Sequence, residues 1–139
     1  MTAHVRSFFA SRGLAYNPNP EVVPNSMRAL RLTELARDLG RHEPAHDRLM
    51  DAYWSEGQDL GDIEVLRRLA AELELPAAEV DDVLESERYR ERVEESTRHA
   101  AAIGANAVPA FLLRRRLLVL GAQPEEVFEE AFARLAEPA

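Results

Sequence analysis

A chain of 139 residues, 46% of them hydrophobic, has enough apolar material for one core, so a single domain spanning 1–139 is expected. Its formal charge of −8 excludes nucleic acid as a main partner, because phosphate recognition needs net or clustered positive charge. The chain contains no cysteine, which rules out disulfides, a thiolate nucleophile and thiolate metal sites, and it has no apolar run long enough for a membrane span or an export signal, so a cytoplasmic protein without membrane contact is expected.

In chain order, a first helix is predicted from about Ala3 to Arg12, stopped by Gly13, a residue suited to the left-handed conformation that ends helices. The next stretch, LAYNPNPEVVPN, carries Pro18, Pro20 and Pro24 and reads as an extended surface connection. Asn25 or Ser26 then caps a helix in which Met27, Leu30, Leu35, Ala36 and Leu39 recur three to four residues apart, and Gly40 closes it. Pro44 suits the first turn of a segment that runs through Trp54 to Gly57. Asp62 ends the loop GQDLGD and caps the helix carrying Val65, Leu66, Leu69 and Leu73. Pro76 starts a helix to about Leu84. Ser86 caps the longest one, over ERYRERVEESTRHAAAI to Gly104, whose charges at spacings of three and four mark a solvated surface helix.

After Gly104 the period changes. AFLL at 110–113 and LLVL at 117–120 have strand length, with Arg114, Arg115 and Arg116 as the turn. Neither run alternates polar with apolar, which predicts strands covered on both faces. Gly121 breaks the second strand and Pro124 opens a last helix. Glu125 and Glu126 suit the positive end of that helix's dipole, and Val127, Phe128, Ala131, Phe132 and Leu135 form its apolar face. The expected fold class is mostly α with a small β part: a helical region over 1–104, then a β-hairpin and C-terminal helix over 105–139.

Few side chains stand out as chemistry. His42 and His46 have a spacing that can place two metal ligands on one helical face, but Pro44 is expected to leave His42 outside the helix and no third ligand is marked, so both are read as surface histidines and no metal is expected. Asp59 and Asp62 read as loop and cap residues rather than a catalytic pair. The arginine triplet reads as a solvated turn that guards a strand edge, in preference to an anion clamp. Tyr53, Trp54, Phe111 and Phe128 read as core, and Asn25 reads as a helix cap.

GANAVPAFLL followed by LLVLGAQPEEVFEEAF resembles the C-terminal end of the DsbA family of the thioredoxin superfamily, and above all its cytoplasmic branch related to FrnE proteins and 2-hydroxychromene-2-carboxylate isomerases. VVPNSMRALRLTELARDLG, LMDAYWSEGQDLGD and VLRRLAAELEL resemble that branch's helical insertion, so the likeness runs from about Gly13 to the end of the chain. It implies a thiol–disulfide oxidoreductase or glutathione-linked isomerase fold. It also implies a cis bond at Val108-Pro109, whose backbone faces the redox motif and receives an extended peptide or a small thiol, with Asn25 near the groove. The family's first strand, Cys-x-x-Cys and following helix would precede the segment that resembles Ala3 to Gly13, and the chain begins at Met1. The resemblance therefore implies an incomplete DsbA-like thioredoxin fold that has no catalytic residue or cofactor of its own. A hairpin left without neighbouring strands is expected to pair along residues 110–120 with a second copy, as a homodimer, or with a partner chain that supplies the missing strands. Two functions follow: a FrnE-type protein completed by a partner, or a non-enzymatic helical interaction and dimerisation module.

Overall fold

Apolar side chains three and four apart become helices up to Ala102, and the two short apolar runs become strands, in the computed structural model, which describes residues 2–136. The order is α1 (Thr2–Ala10), α2 (Met27–Asp38), α3 (His42–Trp54), α4 (Ile63–Glu72), α5 (Ala77–Glu85), α6 (Arg90–Ala102), β1 (Ala110–Leu113), β2 (Leu117–Leu120) and α7 (Glu125–Ala136). The described residues form two compact units that divide between Val93 and Glu94, within α6.

In the first unit, α2 packs on α3 and α5, and α4 touches all three. Its core holds Leu32, Leu35, Leu49, Leu66, Leu69, Val83 and Leu84, each at most 2% exposed. Burying one such side chain stabilises the fold by about 1.5–3 kcal/mol. Of the stripe expected on α2, Leu35 and Ala36 are buried, whereas Leu30 and Leu39 are 45% and 40% exposed because they lie on the side of the helix turned from α3 and α5. The caps are local and polar. Asp62 Oδ1 accepts from Glu64 N–H at 2.8 Å, and Asn25 Oδ1 accepts from Met27 N–H at 3.1 Å, whereas Ser26 makes no side-chain cap. The proline-rich stretch is extended and is held to the end of α3, where Asn17 N–H donates to Trp54 O at 2.6 Å.

Two helix starts differ from expectation. His42 is the first residue of α3 and Pro44 lies inside its first turn, because the N–H that proline lacks has no helical acceptor there in any case. In α6 the start moves from just after Ser86 to Arg90, since Tyr89 takes φ +68, a left-handed kink that breaks the helix before it. Ser86 caps the turn instead, with Oγ accepting from Arg88 N–H at 3.0 Å. At 13 residues α6 equals α3 rather than exceeding it.

All 17 basic residues are arginines, and many tie helices together. Arg67 on α4 reaches Glu64, Asp81 and Glu85, and Arg48 on α3 reaches Glu56 and Glu72. Tyr89 lies between Arg88 and Arg92, whose guanidinium carbons stand 4.9 and 4.8 Å from its ring centroid, and its hydroxyl donates to Asp38 Oδ2 at 2.8 Å. Arg92 grips the same carboxylate from Nη1 at 2.8 Å. Hydrogen bonds from Arg92 and then Tyr89 hold the Asp38 carboxyl below its ordinary range, while burial and then the Asp38 contact raise the Tyr89 phenol.

In the second unit, β1 and β2 pair antiparallel in the register Ala110↔Leu120, Phe111↔Val119, Leu112↔Leu118 and Leu113↔Leu117. Successive side chains therefore alternate between two faces. One face meets α7: Phe111 packs edge-on against Phe128 at 5.0 Å, and Val119, Ala131 and Leu135 are buried. The turn runs through Arg114 and Arg115 at φ +49 and +57, with Arg116 N–H donating to Leu113 O at 3.0 Å. Positive φ at both central residues matches the twist of a hairpin, although glycine and asparagine adopt it far more readily than arginine.

Candidate functional site

The hairpin is entered through Val108 and Pro109. After α6, Ala105 N–H donates to Ala100 O at 2.9 Å and Gly104 takes φ +85, which turns the chain out of the helix. The Val108–Pro109 bond is cis. Pro109 O accepts from Gly121 N–H at 2.7 Å, fastening the entrance of β1 to the end of β2. Val108 is 93% exposed, and its own N–H and C=O make no hydrogen bond among the described residues. Among those residues β1 pairs only with β2, so its other edge also has no strand partner.

An exposed, unpaired backbone that leads into an open strand edge is suited to receiving an extended chain by strand addition, where main-chain hydrogen bonds give affinity and side-chain pockets give selectivity. On the other side of the hairpin, Leu117, Leu120, Val127 and Ala131 border a cavity of about 280 Å³ between β2 and α7.

The strands are not covered on both faces as expected: Phe111 and Leu112 are 38% and 42% exposed, and Val119 is the one buried strand residue. A single helix packs one face of a twisted pair and leaves much of β1 in solvent. Val108 and Pro109 adjoin in this unit, and Asn25 belongs to the other, where it caps α2. Asp59 and Asp62 act as loop and cap residues, Asp59 Oδ1 accepting from Gly61 N–H at 2.8 Å. The rings of His42 and His46 stack at 6.1 Å with Arg37 Nη2 2.9 Å from His42 Nε2, and the described residues contain no group of three or more metal-ligating side chains. Arg114 Nη1 donates to Leu135 O at 3.3 Å, bracing the turn against α7. Tyr53 packs on the core, while Trp54 lies at its rim, 37% exposed and stacked on Tyr16 at 5.8 Å. Tyr89 and Arg31 were passed over in the sequence because each sits among charged residues that read as surface. The one available signal was that Arg31 interrupts the buried stripe of α2 beside Leu32.

A helical unit joined to a β-hairpin and helix, entered through a cis proline, defines a thioredoxin-like protein of the DsbA kind. The chain belongs to the DSBA-like thioredoxin domain family, whose pattern matches residues 1–133. It is similar to the crystal structure of the probable DsbA oxidoreductase SCO1869 from Streptomyces coelicolor, with a TM-score of 0.83 and 34% identity, covering 95% of this chain and 57% of that one. It is also 28% identical over 117 residues to the uncharacterized protein YwbO of Bacillus subtilis (strain 168), covering 84% of this chain and 58% of that protein. The chain thus spans a little over half the length of each of these relatives. No helix among the described residues is long and apolar enough to cross a membrane.

Proposed function

We propose that this chain is a cytoplasmic, FrnE-type member of its family, that it binds an extended peptide or small thiol compound at Val108–Pro109, and that its thiol–disulfide chemistry is completed by cysteines on a partner. The observation that carries the reading is the unpaired backbone of Val108, a residue 93% exposed, leading into an open strand edge. With no cysteine in its 139 residues, the chain has no thiolate to attack a disulfide. Purified alone it is expected to be blank in a disulfide-reduction assay, and turnover there would overturn the assignment of the redox step to a partner. Binding is tested by titrating an extended peptide into the chain and into Pro109→Ala, with the backbone amides of 108–113 followed by NMR. Saturable shifts confined to those amides and weakened in the variant support the reading; their absence sinks it.

The second reading, an interaction module whose hairpin serves dimerisation, is favoured by the apolar exposure of Phe111, Leu112 and Phe132 at 38%, 42% and 58%. Size-exclusion chromatography with light scattering separates the two. A stable dimer that ignores the peptide favours the module, and a peptide-dependent complex favours the first reading.

A further inference from the structure

Independently of the hairpin, the first unit holds a charged cleft of about 190 Å³ between the start of α2 and the α5–α6 connection. Arg31 lines it and is the one charged residue found buried among those described, at 3% exposure. Its Nη1 donates to Ser86 O, but its Nε finds no acceptor and no carboxylate pairs with it. Arg28 and Arg90 line the same cleft. Burial and then the guanidiniums of Arg90 and Arg28 pull the Arg31 pKa below the ordinary arginine value. Removing a guanidinium from water without a counter-ion is costly unless an anion compensates it.

One role for these arginines is structural. Arg28 Nε donates to Leu84 O at 3.1 Å and Arg31 Nη1 to Ser86 O, so cations cap the carbonyl end of α5. That accounts for two donors and leaves the buried Arg31 Nε without an acceptor. Two carboxylates also border the cleft: Glu87 pairs with Arg90, and Glu85 is engaged by Arg67. The volume holds a group of a few heavy atoms.

We propose that this cleft binds a single carboxylate group, belonging to a small organic acid or to a peptide C-terminus, with Arg31 as its buried counter-charge. A planar carboxylate matches the fork of a guanidinium, and charge-assisted hydrogen bonds are roughly twice as strong as neutral ones. The test is NMR of the full chain with labelled arginine Nε–H groups, titrated with acetate, glycylglycine, phosphate and chloride at matched ionic strength. Acetate is expected to shift Arg31 Nε–H and the Ser86 amide saturably while chloride does not. Larger and tighter shifts with glycylglycine assign the site to peptide termini, and equal ones assign it to small acids. Arg28→Gln, which alters an exposed side chain, is expected to weaken binding at least fivefold, and Arg31→Met to abolish it. If Arg31→Met does not fold, Arg28→Gln decides. Silence of Arg31 up to tens of millimolar acetate and dipeptide, unchanged binding in Arg28→Gln, or tighter binding of phosphate than of acetate would each overturn the proposal.

Discussion

Gly57 shows how one hydrogen atom in place of a methyl fixes a connection. Its φ is +67, and a Cβ built there would lie 2.9 Å from the carbonyl oxygen of Asn17, a backbone atom that has little room to yield. Gly40 has a similar φ of +71 with open space around it. Gly57→Ala is therefore expected to lose about 1–3 kcal/mol and Gly40→Ala less, because only the first adds a clash to the backbone strain. Urea unfolding followed by circular dichroism checks the order, and equal losses would mean that the contact with Asn17 is immaterial. The Asp38–Tyr89 pair makes a second residue-scale prediction. Asp38 titrates lower in the folded chain than in the unfolded one, so its contribution is complete above the unfolded value near pH 4 and fades as pH falls through the folded value. Tyr89 titrates higher when folded, so its contribution is complete below about pH 10 and fades as pH rises through its folded value. Asp38→Asn should flatten the acid limb of the stability profile and Tyr89→Phe the alkaline limb. A profile with both limbs unchanged would show that the network contributes nothing.

Among the elements, the hairpin turn departs most from its local chemistry. Arg114 and Arg115 hold backbone angles that cost a non-glycine residue about 1–2 kcal/mol each, and only the pairing of β1 with β2 and the brace from Arg114 to Leu135 hold them there. Replacing Arg114-Arg115 by Asn-Gly is expected to raise the stability of the second unit by about 1–2 kcal/mol. Amide hydrogen exchange of 110–120 reads that change; unaltered or faster exchange would show that the Leu135 brace outweighs the strain. Elements with strong local signals were legible in the sequence. Asp62 caps its helix as read, the α4 leucines point inward as read, and both strands occupy the residues assigned to them. The start of α6 was not legible, because the left-handed turn at Tyr89 is held by Asp38, 51 positions away. Arg31 was missed for the same reason: an arginine in a charged helix reads as solvated until a second element closes over it.

At the scale of the whole molecule, the β1 edge is the feature most open to a partner. Leu112, 42% exposed, faces away from the α7 side of the hairpin, so Leu112→Lys should leave the fold intact. A lysine at that edge is expected to shift any assembly towards monomer, since edge charges block strand-to-strand pairing. Light scattering on both proteins at equal concentration reads the outcome, and an unchanged mass would remove the hairpin from the interface.

By itself the sequence determined the order of helices and strands, the inward leucines of α4, the cap at Asp62 and the family, because apolar spacing and capping chemistry act over a few residues. Only the tertiary structure decided that α7 covers one face of the hairpin, that Tyr89 breaks the helix before Arg90, and that Arg31 is buried without a carboxylate. Each of those depends on which distant residues arrive beside it, and the chain's local chemistry does not encode that.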